Sequence, residues 1–423
     1  MLDVRFIREH PEVVQEAARK KHLDFDVQQL LEVDARRRQL LARVEQLKAL
    51  RNKMSKEIPA LQGEAREEAI ARMRQVAAES KALEESLREV EAQFTELMLH
   101  VPNIPDPDVP EGTSDADNVV VRTWGEIPQF DFPLRDHVEL GELLDIIDIP
   151  RAVKMAGSRT YFLKNAGVLL ELAVLQFALH HMVRKGFTPL IVPHLVRDEA
   201  MIGTAYFPVG KEQAYRIPED KLNLIGTSEV PITAYHADEI LREDELPKYY
   251  VGISSCYRRE AGTYGKDTRG LFRIHQFQKV EQVVLCVNDP EVSAREHEHI
   301  VRNAEEILQA LRLPYRVVLV CGAELGLPQV KKYDIETWMP SRQAYGETHS
   351  ASKFHDFQAR RLKLRYRDKS GALRFVHTLN NTVIASPRIL IPLLELNQRP
   401  DGSVAIPEVL QPYMGGMQEI VPP

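Results

Sequence analysis

The feature that most constrains the fold is a run of regularly spaced apolar residues between positions 27 and 100. In the first half they fall three and four positions apart, at Leu30, Val33, Leu40, Val44, Leu47, Met54 and Ile58, with Arg37 and Arg51 at the two missing positions. In the second half the same spacing runs through Ala69, Met73, Val76, Ser80, Leu83, Leu87, Val90, Phe94 and Leu97. Pro59 and Gly63 interrupt the two halves. This pattern predicts two long helices folded back as an antiparallel coiled coil, an arm of roughly 45 Å.

The charge of the first predicted helix suggests a role for the arm. Residues 27–56 contain eight Lys or Arg against three acids, within a chain whose net charge is −7. One interpretation is a solvated helix surface with cross-helix ion pairs; the other is a helix laid along a phosphate backbone. On the second interpretation, the candidate contacts are Arg36, Arg37, Arg38, Arg43 and Lys48.

Composition narrows the class of protein. A chain of 423 residues is long enough for two or three domains, and its acidic balance argues against general nucleic-acid binding. Apolar runs such as residues 389–394 are too short to span a membrane, and the N-terminus lacks the apolar core of a signal peptide. Cys256, Cys286 and Cys321 show no paired spacing. We therefore expect a cytoplasmic protein with reduced thiols and no membrane contact.

The remainder of the chain predicts an α+β domain. Residues 101–134 are expected to form a linker, rich in Pro and Asp at its start, between an N-terminal domain (1–100, with the arm at about 27–100) and a domain over 135–423. The predicted helices are 166–185 and 290–312, and the predicted strands are 188–193, 249–259, 272–287, 315–321, 332–339 and 374–380. Many strands joined by hairpins favour an antiparallel sheet flanked by helices. Neither a GxxxxGK[ST] loop nor a GxGxxG sequence occurs.

A second informative segment is residues 256–281, which read CYRREAGTYGKDTRGLFRIHQFQKVE. Because side chains alternate along a strand, Arg258 and Glu260 are expected on one face of one strand, and Phe277 and Glu281 on one face of the next. A solvated sheet face is one interpretation. The other is a site for a planar polyanion, with arginine on phosphate and an aromatic ring on a base. Elsewhere Glu229 could help Glu281 hold an ammonium group, Glu347 and Ser350 offer oxygen ligands for Mg²⁺, and Arg388 is a second candidate for a phosphate.

The 256–281 segment resembles motif 2 of the class II aminoacyl-tRNA synthetases, in the form found in seryl-tRNA synthetases. The resemblance covers nearly the whole chain. GFTPLIVPHLV (186–196) is similar to motif 1 and HTLNNTVIASPRIL (377–390) to motif 3. TSEV (227–230), ETHSASKFHDFQARR (347–361) and IPEVLQPYM (406–414) resemble further family segments, and the predicted arm resembles the family's tRNA-binding domain.

The resemblance implies a role for each matching residue. Arg258, Arg388 and Glu347 would be catalytic. The implied ATP-binding residues are Arg258, Arg259, Glu260, Arg273, Phe277, Glu347, Thr348, His349, Ser350 and Arg388. The implied serine-binding residues are Thr227, Ser228, Glu229, Arg258, Glu281, Asn380 and Thr382. Glu347 and Ser350 would ligate Mg²⁺.

The same resemblance implies a reaction and partners. The chain would join L-serine to the 3′ end of serine tRNA through seryl-adenylate, at the expense of ATP. Its arm would contact the long variable arm of that tRNA, and selenocysteine tRNA would also be charged where the host has it. The family's motif 1 builds a subunit interface, which predicts a homodimer through that region.

Several residues differ from the amino acids most common at the matching positions of the family. Ser228 stands where Ala is common, and His349 and Ala351 where Ser and Cys are frequent. Asn381 and Thr382 replace Gly-Ser, and Leu396 lies where Asn is frequent. These departures bear on the fine shape of the pocket. For His349, a supporting hydrogen bond and a direct phosphate contact both remain open.

Three alternatives compete with this interpretation. A related enzyme that loads a carrier protein would lack the long arm. A non-catalytic scaffold would be expected to have lost residues such as Arg258 or Arg388. Another class II synthetase, for glycine, proline, threonine or histidine, would usually append an anticodon-binding domain after motif 3, where only about 30 residues follow.

Overall fold

The computed structural model describes residues 1–423 except Tyr264, Lys266 and Thr268, so three positions of the 256–281 motif lie outside the described residues. The described residues divide into two units. One comprises residues 1–19 and 23–102, and the other comprises residues 20–22 and 103–423. The organisation into a domain, a linker from 101 to 134 and a second domain stays a prediction.

The first unit is helical. Its helices are α1 (Val4–Glu9), α2 (Pro11–Lys20), α3 (Val27–Glu57) and α4 (Gly63–His100). Asp26 caps α3, because its carboxylate accepts a hydrogen bond from the backbone N–H of Gln28. The two long helices pair antiparallel and bury the predicted stripe, with Leu47, Met54 and Val76 in one hydrophobic cluster. The predicted antiparallel coiled-coil arm is thus confirmed.

The second unit contains the remaining regular elements. Its helices are α5 (His137–Leu143), α6 (Ile149–Ala156), α7 (Ala166–Arg184), α8 (Asp198–Gly203), α9 (Glu229–Ala234), α10 (Pro290–Ala310), α11 (Phe357–Leu362) and α12 (Leu390–Leu396). Its strands are β1 (Val119–Trp124), β2 (Ile147–Asp148), β3 (Phe162–Leu163), β4 (Thr188–Ile191), β5 (Leu195–Val196), β6 (Arg216–Ile217), β7 (Leu222–Leu224), β8 (Ile240–Arg242), β9 (Lys248–Tyr257), β10 (Gln276–Cys286), β11 (Tyr315–Leu319), β12 (Lys331–Met339), β13 (Ala344–His355), β14 (Arg365–Arg367), β15 (Leu373–Phe375), β16 (His377–Ser386), β17 (Val404–Ala405) and β18 (Glu419–Ile420).

Eight of the described strands form the main sheet, in the order β1-β11-β12-β13-β16-β10-β9-β4. Neighbouring strands are antiparallel except for β4, which runs parallel to β9 at one edge. Side chains of α7 and α10, among them Leu170, Val174 and Ile300, pack with Val280 and Val284 in the largest hydrophobic cluster. The α+β fold with a mainly antiparallel sheet is therefore confirmed.

The strands expected over 188–193, 249–259 and 315–321 each end two residues early, so Arg258 and Glu260 lie beyond β9 and not on a strand face. Two other predicted strands differ more. The expected strand 272–287 begins only at Gln276, because the backbone N–H of His275 donates to Arg159 O instead of continuing a ladder. The segment 374–380, expected to be one strand, contains the end of β15 and the start of β16. These two strands belong to different sheets. β16 ends at Ser386, directly before Pro387, whose ring nitrogen has no hydrogen to donate.

Helix α7 is long and apolar enough, by length and composition alone, to cross a membrane. Its buried side chains, which include Leu170, Val174 and Phe177, belong to the hydrophobic cluster against the sheet. We therefore interpret α7 as a core helix of this unit.

Candidate active site

A cleft lies on one face of the main sheet, with an empty volume of about 990 Å³ including its open mouth. Its floor is formed by side chains that alternate along the strands of the sheet, so that every second residue points into the cleft. Phe277, Lys279 and Glu281 of β10 line the cleft, whereas Gln282 points to the other face and donates to Ile300 O of α10 at 2.8 Å. The cleft brings together most of the site residues expected from the sequence, namely Thr227, Glu229, Arg258, Glu260, Arg273, Phe277, Glu281, Glu347, Thr348, His349, Ser350, Asn380, Thr382 and Arg388.

Arg258 follows directly after β9 and enters the middle of the cleft. Its Nε donates to Gly226 O at 3.2 Å, and its guanidinium carbon lies 5.2 Å from the centre of the Phe277 ring. The backbone N–H of Arg258 donates to His275 O at 2.9 Å, which fixes the residue between the two strands. An arginine held at Nε keeps its terminal nitrogens available for an anion.

Glu260 lies three residues beyond the end of β9 and has a left-handed conformation, with φ of 52°. This conformation is unfavourable for a residue with a Cβ, so the contacts around Glu260 hold it there. Its carboxylate accepts a hydrogen bond from Arg273 Nη1 at 2.9 Å. Arg273 also lies 3.5 Å from Asp267, so the rim of the cleft carries an alternating set of charges.

Arg388 and Phe272 form the second cationic wall. The guanidinium carbon of Arg388 lies 4.3 Å from the centre of the Phe272 ring. The guanidinium carbon of Arg342 lies 4.1 Å from the centre of the same ring. Arg388 Nε donates to Phe272 O, and its Nη1 donates to Glu347 O, each at 2.9 Å. Burial lowers the pKa of Arg388 from its ordinary value, although arginine at neutral pH stays charged. The side chain is thus held rigidly between motif 2 and the strand carrying Glu347.

The acidic end of the cleft contains two carboxylates and one ammonium. Lys279 Nζ lies 2.6 Å from Glu281 Oε2 and donates to Thr227 Oγ1 at 2.7 Å. Glu229 Oε1 accepts from Gln358 Nε2 at 2.8 Å. Desolvation, and then the neighbouring Glu281 carboxylate, raise the pKa of Glu229 to about 7. Such an end suits a ligand that brings one further positive charge.

His349 is held on both sides of its ring. Its Nε2 lies 3.0 Å from Val383 O and its Nδ1 lies 2.8 Å from Thr348 Oγ1. Since the carbonyl can only accept, Nε2 carries the hydrogen and Nδ1 accepts from the threonine. Burial lowers the pKa of His349 to about 4, so the ring is neutral at physiological pH. The geometry favours the supporting hydrogen bond over the direct phosphate contact.

Two residues expected at the site do not line the cleft. Ser228 is fully buried beside Gly252. Arg259 is exposed, with its Nη1 3.4 Å from Glu212 O and its backbone N–H on Gln213 O. Of the positions that depart from the family letters, Asn381 faces away from the cleft and donates to Ile300 O at 2.7 Å, and Ala351 is buried in the core. Leu396 also packs against that core.

The arm residues expected to contact tRNA are mostly engaged in ion pairs. Arg43 pairs with Glu79 at 2.7 Å and Lys48 with Glu84 at 3.2 Å, both across the two helices. Arg37 and Arg38 bind the buried Asp34 of their own helix at 2.9 and 3.1 Å. Arg36 is exposed. Cross-helix ion pairs, the simpler of the two interpretations, are therefore present, and such exposed pairs are weak enough to yield to a polyanion.

Sequence reasoning assigned no role to several residues that line the cleft, including Tyr206, Phe272, Lys279, Gln329 and Ser352. Lys279 could have been found, because it lies between Phe277 and Glu281 in the same alternating pattern. Gln329 could not, since it lies in an irregular segment. Phe272 could not either, because alternation along the strand expected over 272–287 puts it opposite Arg273 and Phe277, whereas it precedes β10 and lines the same cleft.

Comparison with known proteins assigns both parts of the chain. Residues 1–105 match the family model described as the seryl-tRNA synthetase N-terminal domain, and residues 214–397 match the class II tRNA synthetase core domain for G, H, P, S and T. A serine–tRNA ligase of Deinococcus radiodurans is 48% identical over 423 residues, covering 100% of both chains.

Solved structures agree with these matches. The crystal structure of seryl-tRNA synthetase from Pyrococcus horikoshii complexed with ATP has a TM-score of 0.92 and 41% identity, covering 100% of both chains. The cytoplasmic serine–tRNA ligase of Naegleria fowleri, in complex with AMP, has a TM-score of 0.85 and 31% identity, covering 100% of this chain and 99% of that one.

Proposed function

The chain belongs to the seryl-tRNA synthetase family of class II aminoacyl-tRNA synthetases, and we infer that it ligates L-serine to the 3′ end of serine tRNA through seryl-adenylate. ATP is consumed, and AMP and pyrophosphate are released. The observation that carries this conclusion is the 48% identity to a serine–tRNA ligase along the whole of both chains. A match of that extent, arm included, decides against the carrier-loading enzyme, the scaffold and the other class II synthetases.

Arg258 binds the α-phosphate of ATP and the serine carboxylate in this proposal. The side chain is anchored at Nε and lies in the middle of the cleft, between the acidic end and Arg388. Phe277 stacks on the adenine, Glu260 accepts from its exocyclic amine, and Arg273 and Arg388 contact phosphate. Thr348 and His349 shape the wall behind the phosphates. Fixed cations at these points stabilise the charge that develops as pyrophosphate leaves.

Serine binds at the acidic end, with its ammonium group on Glu229 and Glu281. Thr227, Asn380 and Thr382 lie within the same cleft, and Thr382 Oγ1 is 3.3 Å from Glu281 Oε2. The carboxylate, held by Arg258, then attacks the α-phosphorus in line, so that no covalent enzyme intermediate is needed. A pocket built to hydrogen-bond a hydroxyl rejects alanine, because its own polar groups would be left unpaired. Threonine has to be excluded by bulk.

Mg²⁺ fits the residues around Glu347 and Ser350. The Glu347 carboxylate is exposed within the cleft. Ser350 lies opposite Asp334 of the neighbouring strand, whose carboxyl contacts the Ser350 side chain and lies 3.2 Å from Lys332 Nζ, so a further carboxylate stands directly behind the two candidate ligands. Among those residues, no group of three or more His, Cys, Asp or Glu could hold a metal by itself. Mg²⁺ usually takes only one or two ligands from the protein, and substrate phosphates and water supply the rest of its coordination shell. Two protein oxygens, from Glu347 and Ser350, therefore suit Mg²⁺. When bound, it neutralises phosphate charge.

The arm contacts the long variable arm of serine tRNA, through Arg36, Arg37, Arg38, Arg43 and Lys48. The exposure of Arg36 and the weak surface pairs of Arg43 and Lys48 support this proposal. Arg37 supports it least, because its guanidinium lies over Phe94 at 4.3 Å and is only 21% exposed. Contacts to phosphates and sugars read the shape of a tRNA rather than its anticodon.

A homodimer through the motif 1 region explains an exposed apolar surface. Leu169 and Leu172 of α7 and Ile191 of the edge strand β4 are exposed, Ile191 to 89%. Isolated apolar residues are common at surfaces, but a large aliphatic side chain this exposed on a sheet edge marks an interface. Sedimentation of the wild type against an I191D variant tests it, with a monomeric wild type as the contradicting result.

Two finer proposals concern the compartment in which the protein acts and a second tRNA that it charges. The protein acts in the cytoplasm, which fits three free, buried cysteines. It also charges selenocysteine tRNA where the host has one, which charging assays with that tRNA would test.

The function is tested by ATP–pyrophosphate exchange with serine, threonine, alanine and glycine, in the absence of tRNA. Exchange with serine far above the other three establishes adenylate formation and the amino acid together. The absence of exchange with all four would contradict an assembled site.

A further inference from the structure

Lys279 lies at the centre of the acidic end of the cleft, and the assignments above give it no role. It belongs to β10 and is only 5% exposed. Its ammonium group fills the space between the Thr227 hydroxyl, at 2.7 Å, and Glu281 Oε2, at 2.6 Å. Both of these partners belong to the proposed serine site. The protein therefore supplies a cation of its own where a substrate cation is expected to bind.

The hydrogen bonds of Thr227 show what this ammonium does to its neighbours. Thr227 Oγ1 accepts from Lys279 Nζ and also from the backbone N–H of Glu229, at 3.2 Å. A hydroxyl oxygen has two acceptor positions and one hydrogen. With both acceptor positions used, Thr227 can only donate into the cleft, toward an oxygen of the substrate. Glu281 Oε2 is likewise shared between Lys279 and the Thr382 hydroxyl.

The charges at this end leave room for one additional cation. Glu229 and Glu281 contribute two carboxylates, and Lys279 offsets one of them. Arg258, the other cation nearby, serves the substrate carboxylate and the α-phosphate. An amino acid with one ammonium group then balances the remaining carboxylate. A second ammonium group in the substrate side chain would stay uncompensated in a poorly solvated pocket, which is costly.

We propose that Lys279 is a specificity-determining residue, whose ammonium group occupies the cation position between Thr227 and Glu281 and so excludes amino acids with a second ammonium in place of the serine hydroxyl. The excluded class is represented by 2,3-diaminopropionate, which has the size of serine. This inference rests on the proposed serine site. Removing the charge of Lys279 opens a second cation position and shifts the preference toward the diamino acid.

The test compares serine and 2,3-diaminopropionate in ATP–pyrophosphate exchange at a pH of about 7, where a substantial fraction of Glu229 is still ionised and part of the diamino acid carries both ammonium groups. In K279M, the ratio of kcat/KM for serine to kcat/KM for 2,3-diaminopropionate falls by about tenfold or more relative to wild type, as expected for a close buried charge pair. K279R keeps a cation and retains the wild-type preference for serine. K279Q is measured in parallel, in case the methionine variant does not fold.

K353M is the matched control. Lys353 is also a buried lysine of the main sheet, 4% exposed and paired with Asp106 at 2.5 Å, but it does not line the cleft. A merely structural role for Lys279 would leave the ratio unchanged in K279M as in K353M, and that result overturns the proposal. Loss of both exchange reactions in a folded K279M or K279Q also overturns it. Absence of serine exchange in the wild type would instead contradict the proposed function.

Discussion

The arm and the cleft both bring arginine and lysine next to glutamate and aspartate, but in different surroundings. In the arm, Arg43 with Glu79 and Lys48 with Glu84 pair on the surface, each side chain about half exposed. In the cleft, the Lys279 and Glu281 side chains are 7% and 3% exposed, and Arg258 is fixed by backbone contacts. Exposed pairs are worth little and rearrange easily, whereas buried charges are held in place before the ligand arrives. The arm is suited to attracting a large polyanion, and the cleft to positioning small reactants.

The largest effect is expected inside the cleft. R258A should lower serine-dependent ATP–pyrophosphate exchange by about 10²- to 10³-fold, because a fixed cation at the reacting phosphate is lost. Its neighbour provides the control: R259A should stay within about twofold of wild type, since Arg259 is exposed and does not line the cleft. Equal losses in the two variants would show that the cleft is not organised as described.

If Glu229 binds the serine ammonium as proposed, serine recognition should depend on pH. Desolvation and Glu281 raise its pKa to about 7, and only the ionised carboxylate can pair with an ammonium. As pH rises through that value the carboxylate becomes charged, so kcat/KM for serine should rise and then level off. E229Q should remove this step and raise the KM for serine about tenfold. A pH profile that is the same in wild type and E229Q would contradict this role.

Neutralising exposed cations of the arm should have a smaller and different effect. The triple variant R36Q/R43Q/K48Q should raise the KM for tRNA by about five- to tenfold and reduce the salt dependence of tRNA binding, because phosphate contacts are removed. Adenylate formation should be unchanged. If the salt dependence of tRNA binding were unchanged in this variant, Arg36, Arg43 and Lys48 would not contact tRNA phosphates and would serve only to keep the arm soluble.

The smallest effect is expected from removing the acidic partners in the arm. E79Q/E84Q releases Arg43 and Lys48 from their surface pairs and should strengthen tRNA binding by about twofold, in line with the low strength of such pairs. Titration of labelled tRNA at fixed salt measures it. Weaker binding in this variant would mean that the acids orient the cations for the tRNA, rather than competing with it.

Periodic segments of the sequence predicted their structure well. The spacing of three and four residues through Leu47 and Val76 sufficed for the arm, and alternation along Phe277 and Glu281 placed those residues in one cleft. Phe272 was not found, because it precedes β10 in an irregular segment and reaches the site by stacking against Arg388. Alternation along the strand expected over 249–259 puts Arg259 opposite Arg258, and Arg259 does turn away from the cleft, although β9 itself ends at Tyr257. Where regular structure stops, tertiary contacts decide the direction of a side chain.

The division between positioning in the cleft and attraction by the arm is tested most directly by one paired measurement. R258A and R36Q/R43Q/K48Q are each assayed for serine-dependent ATP–pyrophosphate exchange and for tRNA charging. R258A is expected to lose both activities, whereas the arm variant is expected to lose only tRNA charging and to keep wild-type exchange. Loss of exchange in the arm variant to the same degree as its loss of charging would contradict the division.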